Sequence, residues 1–366
     1  MTIKNFQIEY DAINSRNTFT NGDTINGRII LEVDKEIKIQ SLVFKAKGKA
    51  QACWTQHYRH DQSNVWFSDE KYYSIKQDIL KEAAETGSEV IEKGQHVFPF
   101  SFKIPNGKKI PSSFWSIFGR IIHKLKAELK QPMKVTRKAK IHFTFVSKAD
   151  LSTPGLMVPQ HMHRDKSIVF SPGNVTMDVY IKKKGYIPGE DMKVTVKVNN
   201  CSRRSVQPHF VLYEKKSFFG ANRSKVETRE ILRAKAEAVD SCSGKKIVTK
   251  VIPIPKDLPP SILNCSLVKL EYKLKIYLNI ICASDPKVKL PIIVLPDESD
   301  GSLPPSYDSF GFEALGNQNQ PPQSPASQAT NPPPSYEAFE MYPIFPSAED
   351  QTENGRTLEY RSLTIL

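Results

Sequence analysis

Through most of the first 296 residues apolar side chains recur at every second position. Within 24–33, Ile25, Ile29, Leu31 and Val33 share one face, and polar residues occupy most of the other. The same period-two pattern recurs at 39–54, 70–79, 96–104 and 138–147. It returns at 175–181, 192–198, 206–213, 246–254, 266–281 and 287–295. Each stretch is rich in β-branched and aromatic residues and stops near Gly, Pro, Asn or Asp, as strands do. Strands without helices between them predict antiparallel sandwiches rather than βαβ units. The fold class expected is all-β.

The segment 118–129 fits two periods. Phe118, Ile121, Ile122, Leu125 and Leu129 suit a helical face, whereas Ile121, Leu125, Ala127 and Leu129 suit a strand face opposite Arg120, Lys124, Lys126, Glu128 and Lys130. Periodicity alone cannot choose. An internal echo favours the strand. Gly22-Asp23-Thr24-Ile25 reappears as Gly189-Glu190-Asp191-Met192, each time three residues after an aromatic (Phe19, Tyr186). Ile104-Pro105 and Ile110-Pro111-Ser112-Ser113-Phe114 echo in Ile254-Pro255 and Leu258-Pro259-Pro260-Ser261-Ile262. Lys-Leu-Lys follows in both, at 124–126 and 273–275. Conserved order across two halves predicts a duplicated domain, so 120–130 is expected to be a strand like 267–280.

This gives a first sandwich over 1–150, a linker over 151–166, a second sandwich over 167–296 and a tail over 297–366. The tail holds ten of the 26 prolines, many Ser, Gln and Asn, and almost no apolar periodicity. Such a segment buries too little surface to offset its chain entropy and is expected to be disordered.

Charge divides along the same boundary. The whole chain carries +13, but the tail has eleven acidic residues against Arg356 and Arg361, or −9. The body therefore carries 50 basic and 28 acidic residues, or +22. A body this basic is drawn to anionic partners: acidic lipid, acidic or phosphorylated protein segments, or nucleic acid. Nucleic acid is disfavoured, because the lysines sit on alternating strand positions without a basic helix or a stacking-aromatic motif. No apolar run is long enough to cross a bilayer, and the first residues lack a secretory leader's apolar stretch. The expected location is the cytoplasm. Cys53, Cys201, Cys242, Cys265 and Cys282 are odd in number and lack C-x-x-C spacing, which predicts free thiols. The sequons at Asn174, Asn200, Asn222 and Asn264 are expected to be silent there.

Enzyme signatures are missing: there is no phosphate-binding glycine loop, no H-E-x-x-H and no G-x-S-x-G. No catalytic residue, metal site or cofactor is predicted. His161-Met162-His163 reads as solvated loop.

The tail carries the sharpest chemistry. Pro-Pro-Ser-Tyr occurs twice, with Pro304, Pro305 and Tyr307 in one copy and Pro333, Pro334 and Tyr336 in the other. P-P-x-Y is pre-set in the polyproline II conformation and loses little entropy on docking into an aromatic groove, so it suits WW domains. At the tail's own Pro and Tyr frequencies, chance supplies roughly 0.08 matches. Tyr307 and Tyr336 are 29 residues apart, an r.m.s. span of about 30 Å, which lets tandem WW domains engage both. Tyr342 and Phe345 also fit a Y-x-x-Φ sorting motif, and Thr364-Ile365-Leu366 a PDZ ligand.

Taken in order, several stretches resemble the α-arrestins, most nearly their arrestin domain-containing protein 3-like group. They are Asn21 to Gly27, Val97-Phe98-Pro99-Phe100-Ser101-Phe102, Leu151-Ser152-Thr153-Pro154, Gly185-Tyr186-Ile187-Pro188-Gly189-Glu190 and Pro259 to Cys265, followed by the two P-P-x-Y motifs. The resemblance implies two tandem arrestin-type β-sandwiches and a non-enzymatic adaptor. Its body would recognise receptors and transporters, and its tail would recruit WW-domain HECT-type ubiquitin ligases. Cargo ubiquitylation, endocytosis and endosomal sorting would follow, at the plasma membrane and endosomes. Acidic membrane surface and endocytic adaptors are further expected partners. The competing expectation is an arrestin-fold trafficking scaffold of the retromer-subunit type acting without a ligase. Trp115-Ser116-Ile117-Phe118 is more apolar than the family pattern leads one to expect.

Overall fold

A computed structural model describes residues 2–57, 63–80, 89–106, 109–148, 155–167, 173–280 and 285–296. The tail read as disordered, 297–366, lies outside them. The strands of the first half are β1 (Ile3–Tyr10), β2 (Thr18–Phe19), β3 (Thr24–Val33), β4 (Ile37–Ile39), β5 (Ser41–His57), β6 (Ser63–Leu80), β7 (Glu89–Ile91), β8 (Gly94–Lys103), β9 (Phe114–Ser116), β10 (Gly119–Lys130) and β11 (Arg137–Phe145). The second half contributes β12 (Gln160–Ser167), β13 (Asn174–Ile181), β14 (Gly185–Tyr186), β15 (Asp191–Asn200), β16 (Val206–Gly220), β17 (Arg223–Lys235), β18 (Gly244–Pro253), β19 (Val268–Ile280) and β20 (Lys287–Val294). The ambiguous segment is a strand, β10.

Each half stacks two sheets. The first pairs β1-β3-β8 against β2-β11-β10-β5-β6; the second pairs β12-β13-β15-β18 against β14-β20-β19-β16-β17. Alternation sends one row of each strand inward. Ile25, Ile29 and Leu31 of β3 meet Phe44, Leu125, Phe143 and Phe100 in the first core, with Phe44 and Phe100 stacked at 4.3 Å. The second core is built from Val194, Val196, Phe210, Leu274 and Ile292 and their neighbours.

The duplication is visible atom by atom. Gly22 and Gly189 hold φ +85° and +86°, a left-handed turn that a Cβ would strain. The carboxylate beyond each glycine caps its turn: Asp23 Oδ2 accepts from Thr20 N–H at 2.8 Å, and Glu190 Oε2 from Ile187 N–H at 3.2 Å. Phe19 and Tyr186 are buried on short strands that run parallel to β11 and β20. Ser113 Oγ accepts from Phe145 N–H at 2.9 Å, as Ser261 Oγ does from Val294 N–H at 3.0 Å.

Of the stretch read as linker, 151–154 lie outside the described residues, whereas 160–167 form β12, paired with β13 from Gln160↔Ile181 to Ser167↔Asn174. His161 and His163 are therefore on a strand and not in a loop. The strand escaped notice because an exposed edge with no apolar row leaves no period-two signature.

Candidate functional site

Trp115 to Phe118 marks the boundary between the halves. Ala50, Ala52, Trp54, Phe114 and Ile121 of the first half join the core cluster of the second. Phe118 meets Phe218 edge-on at 5.8 Å, and Lys225 stands 4.8 Å above the Phe118 ring. Gly119 lets Phe218 approach so closely that a Cβ there would lie 2.6 Å from its Cδ1. Polar contacts close one edge: Glu70 accepts from Tyr72 Oη at 2.9 Å and from Ser266 Oγ at 2.5 Å, while Tyr72 Oη also reaches Cys265 Sγ at 3.2 Å. Burial, then Cys265 and Glu70, push the Tyr72 phenol well above its ordinary pKa, so it stays a proton donor. Of the extra apolar residues in this stretch, Phe118 lies at a seam between the sandwiches, while Trp115 lies beneath the Arg120 guanidinium and Ile117 is exposed.

Register places the lysines of the first half together. Core residues Leu42, Phe44, Ala46, Leu125, Ala127 and Ala139 face inward, so the intervening positions of β5, β10 and β11 face out. Across four strands the outward positions run Lys76↔Lys45↔Lys126↔Lys140, and the next row runs Ser74↔Lys47↔Lys124↔His142. Flanking rows add Lys71, Lys49, Arg120 and Lys138, against Asp69, Asp78 and Glu128. With Lys130 opposite Ser41, that face carries eleven Lys or Arg and three carboxylates among the described residues, a net +8. Lys126 and Lys45 both bond Glu128, the Lys126 contact at 2.6 Å. Burial alone would raise the Glu128 pKa, but the two ammoniums lower it on balance. Desolvation, then the charges of Lys124, Arg120 and Lys140, lower the His142 pKa.

The second half repeats the design more loosely. Among the described residues, Lys215, Lys235, Lys269, Lys273, Lys275, Lys287, Lys289 and Arg233 share the outward face of β16, β17, β19 and β20 with Glu230 and Glu271, a net +6. Tyr213 and Tyr277 interleave, with Lys289 and Lys275 5.9 and 5.0 Å from their rings.

Two histidine clusters invite chemistry. On β12, His161 Nε2 and His163 Nδ1 lie 3.0 and 2.9 Å from the same Asp178 Oδ1. Among the described residues, no group of three His, Cys, Asp or Glu is arranged to hold a metal ion. Inside the first core, His123 is 1% exposed between Tyr73 Oη and the Pro111 carbonyl, each at 3.1 Å. A carbonyl only accepts, so Nε2 carries the proton and Nδ1 accepts from Tyr73. Burial lowers the His123 pKa to about 4, so the ring is neutral and structural. The described thiols, Cys53, Cys201, Cys242 and Cys265, are free. Among the described residues no helix is long and apolar enough to cross a membrane.

Pro304, Pro305, Tyr307, Pro333, Pro334 and Tyr336, with Tyr342 and Phe345, lie outside the described residues. Sequence reading missed the seam and the assembly of lysines into one face. For the seam, the signal was an apolar excess at 115–118.

Comparison with known proteins follows this layout. The profile of the arrestin (or S-antigen) N-terminal domain matches residues 6–152, and that of the C-terminal domain matches 171–298. Arrestin domain-containing protein 4 of Mus musculus is 26% identical over 305 residues, covering 81% of this chain and 71% of its own length. Its Homo sapiens counterpart is 25% identical over 301 residues, at 80% and 70% coverage. Thioredoxin-interacting protein of Mus musculus is 25% identical over 300 residues, covering 80% of this chain and 73% of its own length.

Proposed function

Since the chain belongs to the arrestin family as an α-arrestin, and arrestin-family proteins are generally non-enzymatic adaptors, we propose that it links membrane cargo to a WW-domain HECT-type ubiquitin ligase. One observation carries this reading: two copies of Pro-Pro-Ser-Tyr follow an arrestin body on a Pro-rich, acidic segment. Pro304, Pro305 and Tyr307, with Pro333, Pro334 and Tyr336, hold the ligase, and the prolines supply a pre-formed polyproline II surface. The body holds receptors or transporters, whose ubiquitylation sends them into endosomes. The protein then works from the cytoplasm at the plasma membrane and endosomes. Its two basic sheet faces suit the acidic inner leaflet, with about 1 kcal/mol of attraction per Lys or Arg near such a surface. Tyr342 and Phe345 supply a contact for endocytic adaptors.

Proximity labelling in cells tests the proposal. The wild type should label HECT-type ligases and membrane cargo, and Tyr307→Ala/Tyr336→Ala should keep the cargo and lose the ligases. Equal ligase labelling by both proteins would refute the ligase role and favour the trafficking-scaffold reading.

A further inference from the structure

The tip of the β10–β11 hairpin carries two side chains that serve neither packing nor the turn. Met133 and Val135 are 105% and 91% exposed, the most exposed large apolar residues among those described. Met133 also holds φ +54°, a left-handed conformation that glycine or asparagine adopts with less strain. Backbone outliers of this kind persist where the surrounding structure enforces them, and they gather at functional sites. The enforcement is visible below the tip. Strands β10 and β11 pair without a bulge from His123↔Phe143 to Leu129↔Arg137, and Gln40 N–H donates to the Lys130 carbonyl at 2.8 Å. The Gln131 carbonyl then accepts from Lys134 N–H at 3.4 Å to close the turn. A firm base thus holds an apolar tip in water, beyond the reach of the protein's own core.

The charge around the tip has one sign. Lys130, Lys134, Arg137 and Lys138 lie within five residues of Met133, and no Asp or Glu occurs from 129 to 149. Among the described residues, Lys130, Lys134 and Arg137 form no ion pair. An apolar tip ringed by cations matches the boundary of an anionic bilayer. Acyl chains close around the apolar groups there, while long basic side chains reach the headgroup phosphates. So narrow a convex tip would bury too little area against a rigid protein surface.

We propose that the 131–136 turn inserts Met133 and Val135 into anionic membrane, with Lys130, Lys134 and Arg137 at the lipid phosphates. Gly119 begins β10 at the seam and Lys130 ends it, a separation of about 36 Å along the strand. The membrane contact therefore lies at the end of the first sandwich remote from the second, and the paired lysine rows of the sheet are not its site. This insertion deepens the reading of the body as membrane-facing and rests on it, whereas the ligase reading plays no part.

Vesicle binding by the full chain carrying Met133→Trp tests the insertion. The vesicles are phosphatidylcholine with roughly one-third phosphatidylserine, with and without brominated acyl chains. Trp54 and Trp66 pack on the second core and Trp115 pairs with Arg120 near the seam, so wild-type emission supplies the blank. The added emission should shift to the blue on binding and be quenched by the brominated chains. A Met133→Ser/Val135→Ser variant should bind the same vesicles at least about tenfold more weakly than the wild type. Both positions are solvent-exposed, so the folded body is untouched. An added tryptophan that stays unquenched on bound vesicles, or a serine variant that binds as tightly as the wild type, would overturn the insertion and leave the body membrane-facing. Absence of binding to phosphatidylserine vesicles by the wild type would overturn both. Self-association of the wild type that the serine variant abolishes, without quenching on vesicles, would assign the tip to a second copy and overturn the proposal too.

Discussion

Lowering the pH should destabilise the first sandwich through His123. The ring is held neutral between Tyr73 and Pro111 and pressed against Phe145 at 4.7 Å, with its pKa lowered by burial from the ordinary 6.5 to about 4. A folded-state value below the unfolded one means that the unfolded chain takes up the proton first as pH falls. Stability is therefore full above about pH 6.5, declines from there to about pH 4, and levels off below. The gap corresponds to about 3 kcal/mol in all, of which about 1.4 is lost by pH 5.5. Urea denaturation of the full chain followed by tryptophan fluorescence reads this half directly, since Trp54, Trp66 and Trp115 are the chain's three tryptophans. The comparison is His123→Phe/Tyr73→Phe, which removes the titrating ring and the hydroxyl that depends on it. The other histidines, His142 and His209 among them, remain in both proteins and cancel in the difference. The stability difference should shift by about 3 kcal/mol in favour of the variant between pH 7.5 and 4. A difference that stays flat over that range would refute the buried neutral ring.

Gly119→Ala drives a Cβ to 2.6 Å from Phe218 and should cost about 1–3 kcal/mol, read as a lower thermal midpoint and partly relieved by Phe218→Ala. Glu128→Gln leaves the Lys126 and Lys45 ammoniums sharing a neutral amide and should destabilise by about 2–4 kcal/mol in urea, with partial rescue by Lys126→Met. Gly22→Ala and Gly189→Ala each force a Cβ into a left-handed turn and should cost about 1 kcal/mol; unequal penalties would contradict the equivalence of the duplicated turns.

The strands with one buried face were legible because burial writes a period of two: β3, β10, β15 and β19 follow it. The duplication was legible through turn chemistry, a left-handed glycine followed by a capping carboxylate. Two edge strands were not: β12 has Met162 as its one apolar side chain, and β17 is mostly polar, its core-packing Ile231, Leu232 and Ala234 confined to one end across a register shift. The seam was hidden because Phe118 finds its partner, Phe218, a hundred residues away. The basic face was hidden for a related reason. Lys45 and Lys126 become neighbours only through the pairing of β5 with β10, and nothing local announces that register. The tail motifs stood out because a P-P-x-Y ligand acts through its own backbone conformation and needs no fold around it.

The central claim is that two Pro-Pro-Ser-Tyr motifs on an α-arrestin body form a bivalent ligand for a ligase's WW domains. Titrating the full chain with a tandem WW-domain module, by calorimetry or fluorescence anisotropy, addresses it most directly. The wild type should bind about 10²-fold more tightly than either Tyr307→Ala or Tyr336→Ala, and the double variant should not bind measurably. Undiminished binding by the double variant would contradict the account.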